Sequence, residues 1–381
     1  LSASFCDGHG YTWDFGGHVM FSHYDTFDNY LNKALAPDQW LSHIRDSHIW
    51  MKERFIPYPF QNNLHHLDPD DRWHCVKGLL EIAKNGHTAE PKHFGDWMEA
   101  TMGSGITELF LRPYNEKVWA YPPEVMAHNW IGERVAVPEL ETVLKAVCTG
   151  EDQTAWGPNR YFSFPRSGGT GAIWRAVAGL LPAQNFSFKN RVTRIDPGER
   201  IAYTEAGEAW RYRHLVSTMA LDELIRMTPG PVEETAADQL VYSATHVIGI
   251  GMTGQPPSHV ANKTWMYFPE SHSPYYRVTV FSNYSPNNVP EPGRRWSLMA
   301  EVSESPMKTV TSENLPDLTL SALQRDRLIP PEIRTESVVH RRIPKGYPTP
   351  FLDRDAIVPH VLQRFEETNI FSRGRFGAWK Y

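Results

Sequence analysis

Tyr11-Thr-Trp-Asp-Phe-Gly-Gly-His-Val-Met-Phe-Ser-His-Tyr24 is a strand-like run broken by two adjacent glycines and followed at once by histidines and aromatic rings. Glycine at Gly16 and Gly17 permits positive φ and leaves the backbone bare, so that a planar group can lie close against it. A Gly-Gly pair with the His18 imidazole beside it can seat a cofactor ring. It can equally be a tight turn with a packed histidine, and the stretch alone does not separate the two.

Outward from it the chain is well punctuated. The spacing predicts a helix over 25–36, with Phe27, Tyr30, Leu31, Ala34 and Leu35 on one stripe and Pro37 as its stop. A second helix takes Asp68 as N-cap and Pro69 in its first turn, places Trp73, Val76, Leu79, Leu80 and Ala83 inward, and stops at Asn85-Gly86. Between the two, Pro57-Tyr-Pro-Phe-Gln-Asn-Asn63 holds two prolines and reads as an edge strand or an extended loop. Further helices are expected at 94–102, 106–111 and 138–147, so residues 25–150 read as mainly helical. Residues 149–159, rich in glycine and polar side chains, are a candidate mobile loop.

Phe164-Pro-Arg-Ser-Gly-Gly-Thr-Gly-Ala-Ile-Trp174 looks like a glycine loop opening a helix over 172–181. The bare N–H groups at such a start attract phosphate, while close helix–strand packing is the competing reading. From Asn190 the texture turns to β. A meander is expected over 191–195, 201–204 and 210–214, then a short buried strand over 215–220 running into a helix over 221–227. Strands at 246–252, 265–268, 276–282, 296–302 and 337–342 imply a largely antiparallel sheet, with helices at 318–327 and 357–367 beside the last of them.

At 381 residues the chain is long enough for two or three domains, and 41% hydrophobic residues fill their cores easily. A net charge of −6 argues against a nucleic-acid partner, and no apolar run is long enough to span a membrane. Three scattered cysteines, Cys6, Cys75 and Cys148, form neither a disulfide framework nor a metal motif, which favours a reducing, cytoplasmic setting; no metal site is expected. The 13 Trp, 16 Tyr and 18 Phe can line a sugar or nucleotide site as well as fill a core. A homo-oligomer is left open.

Assembled in order, the blocks resemble the eukaryotic-type UDP-galactopyranose mutases. The resemblance rests on Gly16-Gly-His-Val-Met-Phe-Ser-His23, Pro57–Asn63, Arg112-Pro-Tyr-Asn-Glu-Lys-Val-Trp119, Gly132-Glu-Arg-Val-Ala136 and Trp156-Gly-Pro-Asn159. It continues in Gly168-Gly-Thr-Gly171, Thr245-His-Val-Ile-Gly249, 277–284, His340-Arg-Arg342 with Gly346-Tyr-Pro-Thr-Pro350, and 372–381. It implies FAD as cofactor, active when reduced, with NAD(P)H as the reductant. The implied reaction converts UDP-galactopyranose to UDP-galactofuranose with no net redox: reduced flavin N5 attacks the anomeric carbon, UDP departs, and a flavin–sugar iminium lets the ring reopen and contract. The resemblance further implies that the product feeds cell-wall or glycoconjugate galactofuranose.

The resemblance also assigns roles. Arg134 and Arg277 stand at the family's diphosphate arginines, a task that suits guanidinium forks, and His18 and Asn159 complete the catalytic group. Tyr284, Tyr347 and Tyr381 match phosphate-binding tyrosines; Tyr58, Phe60, Gln61 and Phe110 match the uracil end; Asn115, Trp119 and Tyr267 complete the substrate set. Arg134 and Asn159 fall in two loops that close over nucleotide and exclude water. Gly16, Gly17, His18 and Val19 correspond to the flavin-facing segment, Val192 to a position beside the adenine, and Arg375 to a flavin contact.

The implied fold class is α/β with α+β elements. An incomplete Rossmann-like FAD-binding domain takes residues 1–24, 166–235 and 345–381, a mainly helical nucleotide-sugar domain 25–150, and an antiparallel sheet domain 236–344. Family members carry an N-terminal Gly-x-Gly-x-x-Gly turn for the FAD pyrophosphate and a C-terminal extension, neither of which lies within 1–381. The expectation is therefore a fragment of a longer enzyme that binds FAD poorly by itself and exposes an apolar sheet face. The alternatives are a non-catalytic UDP-sugar-binding module that has lost the flavin half, and an amine-oxidase-like flavoenzyme, which leaves the uridine and arginine blocks unexplained.

Overall fold

The computed structural model of the chain describes residues 3–86, 90–154, 157 and 160–381. β1 (Ser4–Cys6) and β2 (Thr12–Asp14) form an antiparallel pair. The rings beside them fix how the pair lies on the largest sheet. Tyr11 covers Gly251 and Trp13 covers Gly249, and a Cβ at either glycine would come within 2.6 Å of a ring carbon. Both rings are fully buried. Glycine is required there for close approach rather than for its dihedral freedom.

α1 (Asp25–Ala34) follows, and the chain then makes three strands that the sequence reading did not separate: β3 (Trp40–Ile44), β4 (Ser47–Met51) and β5 (Arg54–Pro57). β4 and β5 are a hairpin, so the segment between 25 and 150 is less uniformly helical than its periodicity implied.

α2 (Pro69–Asn85) and α3 (Phe94–Ile106) cross with their backbones almost touching. A Cβ on Gly103 would stand 2.6 Å from the Gly78 carbonyl carbon, and one on Gly105 2.5 Å from the Cys75 amide nitrogen. This seam of small residues corrects the inward face expected for α2. Val76 and Leu79 are buried beside it, but Trp73 is 60% exposed and Leu80 38%, because only the small-residue side allows the approach. Asp68 does stand at the N-cap, with its carboxylate on Arg54 at 2.9 Å instead of on a helix N–H. A π-turn at Thr107–Leu111 leads into α4 (Arg112–Trp119), and α5 (Leu140–Thr149) completes the helical group.

β6 (Tyr161–Pro165) returns to pair with β3, and the glycine loop then opens α6 (Gly171–Gly179). Its first N–H groups meet side chains of this chain. Asp14 accepts from Thr170 N at 3.2 Å and Thr170 Oγ1 at 3.0 Å, and Ser4 Oγ accepts from Gly171 N at 2.7 Å. Close helix–strand packing is therefore the reading that holds. Burial pushes the Asp14 carboxyl up to about 6, against the pull of the Ser4 and Thr170 hydrogen bonds.

The meander is present as β7 (Val192–Asp196), β8 (Ile201–Thr204) and β9 (Ala209–Arg211), followed by β10 (Leu215–Ser217) and α7 (Leu221–Met227). The main sheet then adds β11 (Tyr242–Thr253), β12 (Trp265–Tyr267), β13 (Arg277–Val280), β14 (Arg295–Glu304) and β15 (Thr335–Pro348). Its order is β15-β11-β14-β13-β12-β4-β5. Pairing is antiparallel throughout except where β12 meets β4, so the early hairpin closes a sheet otherwise made from the second half of the chain. α8 (Leu315–Arg325) covers part of one face. α9 (Arg354–Glu366) leads to β16 (Ile370–Ser372), which pairs parallel with β10. The result is the mixed α/β architecture expected. Among the described residues, no helix is long and apolar enough to cross a membrane.

Candidate active site

Two neighbouring cavities, sharing Arg375 in their walls, lie where the sheet meets the helical group. The first, about 480 Å³, is floored by Tyr267 and Arg277 at the facing ends of β12 and β13. Phe110, Asn115 and Trp119 reach it from the π-turn and α4, and Arg134 and Tyr381 close it. Ring contacts form a ladder: Phe110 stacks on Tyr114 at 5.3 Å, Tyr114 meets Tyr267 edge-on at 5.5 Å, and Tyr267 meets Tyr58 at 5.5 Å. Burial drives the phenols of Tyr58, Tyr114, Tyr267 and Tyr381 up, so they remain neutral hydrogen-bond donors.

Charge in this cavity has one sign. Arg45, Arg134, Arg277 and Arg375 line it, and no Asp or Glu side chain does so among the described residues. Arg134 donates to the carbonyls of Trp130 at 2.8 Å and Tyr381 at 2.9 Å. The Tyr381 ring meets two guanidinium groups, that of Arg134 at 5.6 Å and that of Arg375 at 5.0 Å. Arg277 is held from behind by Glu301, which is 2% exposed at its side chain. That carboxylate also accepts from the Tyr276 hydroxyl at 2.7 Å and the Gly17 amide at 3.0 Å. Burial alone would raise Glu301, but Arg277 and these hydrogen bonds outweigh it and hold the carboxyl below its usual range.

The second cavity, about 410 Å³, is walled by Phe15, His18, Val19, Thr245, Ile343, Gly346 and Tyr347. Thr245 Oγ1 is buried there without a hydrogen-bond partner, and a Cβ on Gly346 would collide with the Thr245 side chain. Apolar walls from Phe15, Val19, Ile343 and Phe376, with the orphaned Thr245 hydroxyl and the charged groups of Glu301, Lys345 and Arg375 at the edges, suit a flat heteroaromatic ring with a polar rim, so the residues present fit the ring end of a flavin. His18 is open to the cavity yet closely surrounded; desolvation, reinforced by Arg277 and opposed by Glu301, pushes its imidazole down to about 4. Gly16, at φ 133°, makes the turn that aims it, with His18 N donating to Gly16 O at 2.8 Å.

Compared with solved structures, the chain superposes on a reduced UDP-galactopyranose mutase with a TM-score of 0.96 and 43% identity, covering 100% of this chain and 81% of that one. The chain belongs to the UDP-galactopyranose mutase family. It also matches the flavin-containing amine oxidoreductase family over residues 2–349. A putative protoporphyrinogen oxidase from Exiguobacterium sp. 255-15 aligns with a TM-score of 0.73 at 12% identity, over 98% of this chain and 85% of that one. A CLA-producing fatty acid isomerase from P. acnes aligns at 0.63 and 11%, over 99% and 86%. These last two share the fold alone.

In this mutase-family chain, Tyr58, Gln61, Phe110, Asn115, Trp119, Arg134, Tyr267, Arg277 and Tyr381 meet around the first cavity, and His18, Val19 and Tyr347 around the second. Phe60, Tyr284 and Val192 line neither of these two cavities. Phe60 is fully buried and stacks beneath Phe110 at 4.8 Å; Tyr284 is fully buried in the aromatic core, its hydroxyl unpartnered; Val192 packs against the α7–α9 core. Gly16 and Gly17 lie behind His18. Asn159 lies outside the described residues. Arg45, Tyr114, Thr245 and Glu301 were missed. Glu301 did carry a signal, as the one charge within the apolar run 296–302.

Proposed function

We propose that the protein interconverts UDP-galactopyranose and UDP-galactofuranose with FAD in its reduced form and no net redox. The observation that carries this reading is the shared wall. An arginine-rich aromatic cavity that suits a nucleoside diphosphate opens beside a slot that suits a flavin ring, with Arg375 common to both. In this reading residues 25–150 supply most of the nucleotide wall, 236–344 the floor, and 1–24, 166–235 and 345–381 the flavin side.

His18, Val19, Thr245, Tyr347 and Arg375 would hold the flavin, which when bound and reduced supplies the nucleophile for the anomeric carbon. The chain's own residues do the rest. Phe110, Tyr58 and Gln61 take the uracil end, with Phe60 backing Phe110. Asn115 and Trp119 orient the ribose. Arg134 and Arg277 meet the diphosphate whose charge grows as the glycosidic bond breaks, Tyr267 and Tyr381 add neutral donors there, and Tyr347, its ring 5.7 Å from that of Tyr381, adds a hydroxyl from the flavin side. Asn159 joins them from its loop, and Val192 stands by the adenine. His18, uncharged near neutrality, lies against the ring without adding a cation. NAD(P)H is the proposed reductant and the cytoplasm the proposed setting.

The test is direct. The FAD-loaded protein, reduced anaerobically with dithionite, is given UDP-galactofuranose and its products are resolved by anion-exchange chromatography. UDP-galactopyranose should form with reduced but not oxidised protein, and NADPH should replace dithionite. A flavin-loaded, reduced protein that converts nothing would overturn the proposal.

A further inference from the structure

We propose that His65, His66 and Asp152 form a binding site for a divalent transition-metal cation of the zinc class, bracing the wall of the nucleotide cavity. His65 and His66 close the short turn Leu64–His66 with their rings 4.3 Å apart. Both point Nε2 at the same Asp152 oxygen, at 2.9 and 2.6 Å. The three donor atoms lie within 4.8 Å of one another. Sequence spacing signals nothing here, since Asp152 is remote in the chain from the histidine pair.

Two imidazoles and a carboxylate are a donor set that zinc accepts, with water completing an open shell. Zinc holds such donors at about 2.0–2.2 Å, which puts tetrahedral neighbours roughly 3.3 Å apart. The two histidine–Asp152 spacings are shorter by less than about 1 Å, and rotation of the half-exposed Asp152 side chain opens them.

The frame around the cluster is rigid. The Arg72 guanidinium donates to the carbonyls of His65 at 2.9 Å and Leu67 at 2.8 Å, fixing the turn. Asn63 donates to Gln153 O at 3.0 Å and accepts from Gln153 N at 2.8 Å, fixing the residue after Asp152. The His65 side chain is 9% exposed, and its buried Nδ1 has no hydrogen-bond partner. Coordination through Nε2 requires the proton on Nδ1, and at His65 that tautomer breaks no existing bond on the Nδ1 side. A bound ion would cross-link the chain leaving α5 to the turn that follows Gln61, whose amide lines the cavity and donates to Ala136 O.

The experiment uses protein free of any polyhistidine tag, stripped with a chelator and titrated with ZnCl2 by calorimetry and with CoCl2 by visible absorption. One equivalent should bind, with a d–d band of low-coordinate cobalt and a melting temperature that rises with zinc. Asp152→Asn and His66→Ala should each weaken binding at least about tenfold and abolish both the band and the thermal shift. Their circular dichroism without metal should match wild type; where His66→Ala fails to fold, His66→Gln takes its place. An absence of saturable binding, or binding undiminished in both variants, leaves only an ordinary histidine–carboxylate pair and overturns the site.

Discussion

Arg277 and Glu301 sit opposite each other on β13 and β14, and two hydrogen bonds join them: Nε to Oε1 at 2.9 Å, and a terminal nitrogen to Oε2 at 2.7 Å. The same carboxylate holds Gly17 N, so one buried side chain supports both cavities. Arg277→Ala strands that charge, which typically costs about 3–5 kcal/mol. We expect a large fall in melting temperature and loss of turnover. The double variant Arg277→Ala/Glu301→Gln should recover most of the melting temperature but none of the turnover. A double variant that melts no higher than the single one shows that the pair does not set the stability.

Arg134 is different. It is exposed, and its bonds run to two backbone carbonyls with no buried anion behind it. Arg134→Ala should leave thermal unfolding nearly unchanged while weakening UDP binding about 10–100-fold, the value of one charge-assisted contact. Titration of UDP with calorimetric and melting readouts on the same samples separates the two effects.

At Gly17 the constraint is space. A Cβ would stand 2.8 Å from Thr279 Oγ1, 3.1 Å from Trp265 Nε1 and 3.3 Å from Glu301 Oε1. Gly17→Ala should therefore destabilise by about 1–3 kcal/mol and impair turnover by pushing Glu301 away from Arg277. Chemical denaturation measures the first effect; an unchanged midpoint means that the neighbours can give way.

Asp14 predicts a pH dependence. Its folded pKa is about 6 against an ordinary 3.8, so the folded chain keeps a proton that the unfolded chain has released. That contribution is complete below the unfolded value and is lost as pH rises through the folded one. Between pH of about 4 and 6, wild-type stability relative to Asp14→Asn should fall by on the order of 3 kcal/mol, then level off. A flat difference over that window means an ordinary carboxyl.

Much of this was legible in the chain. The helices at 69–85 and 221–227 follow from caps, prolines and periodicity, and the later strands from alternation between turn residues. What escaped depends on partners distant in sequence. β4 finds one of its partners in β12, far along the chain, and nothing local announces that pairing. The inward face of α2 escaped because Cys75 and Gly78 make the seam, and small residues add little to an apolar stripe. Family blocks brought most of the site together by position. Tyr284 lies in the wall of the core instead, where a matched residue type does not say which way its hydroxyl points.

The two glycines beneath Tyr11 and Trp13 have a consequence for mutational tolerance. Gly249 and Gly251 line neither cavity, yet the strand that leads into Gly16 and Gly17 is seated on them. An added methyl at either glycine would lift that strand and carry His18 with it. Loss of activity without contact to any ligand is thus to be looked for along β11, where a search confined to the cavity walls would pass it by.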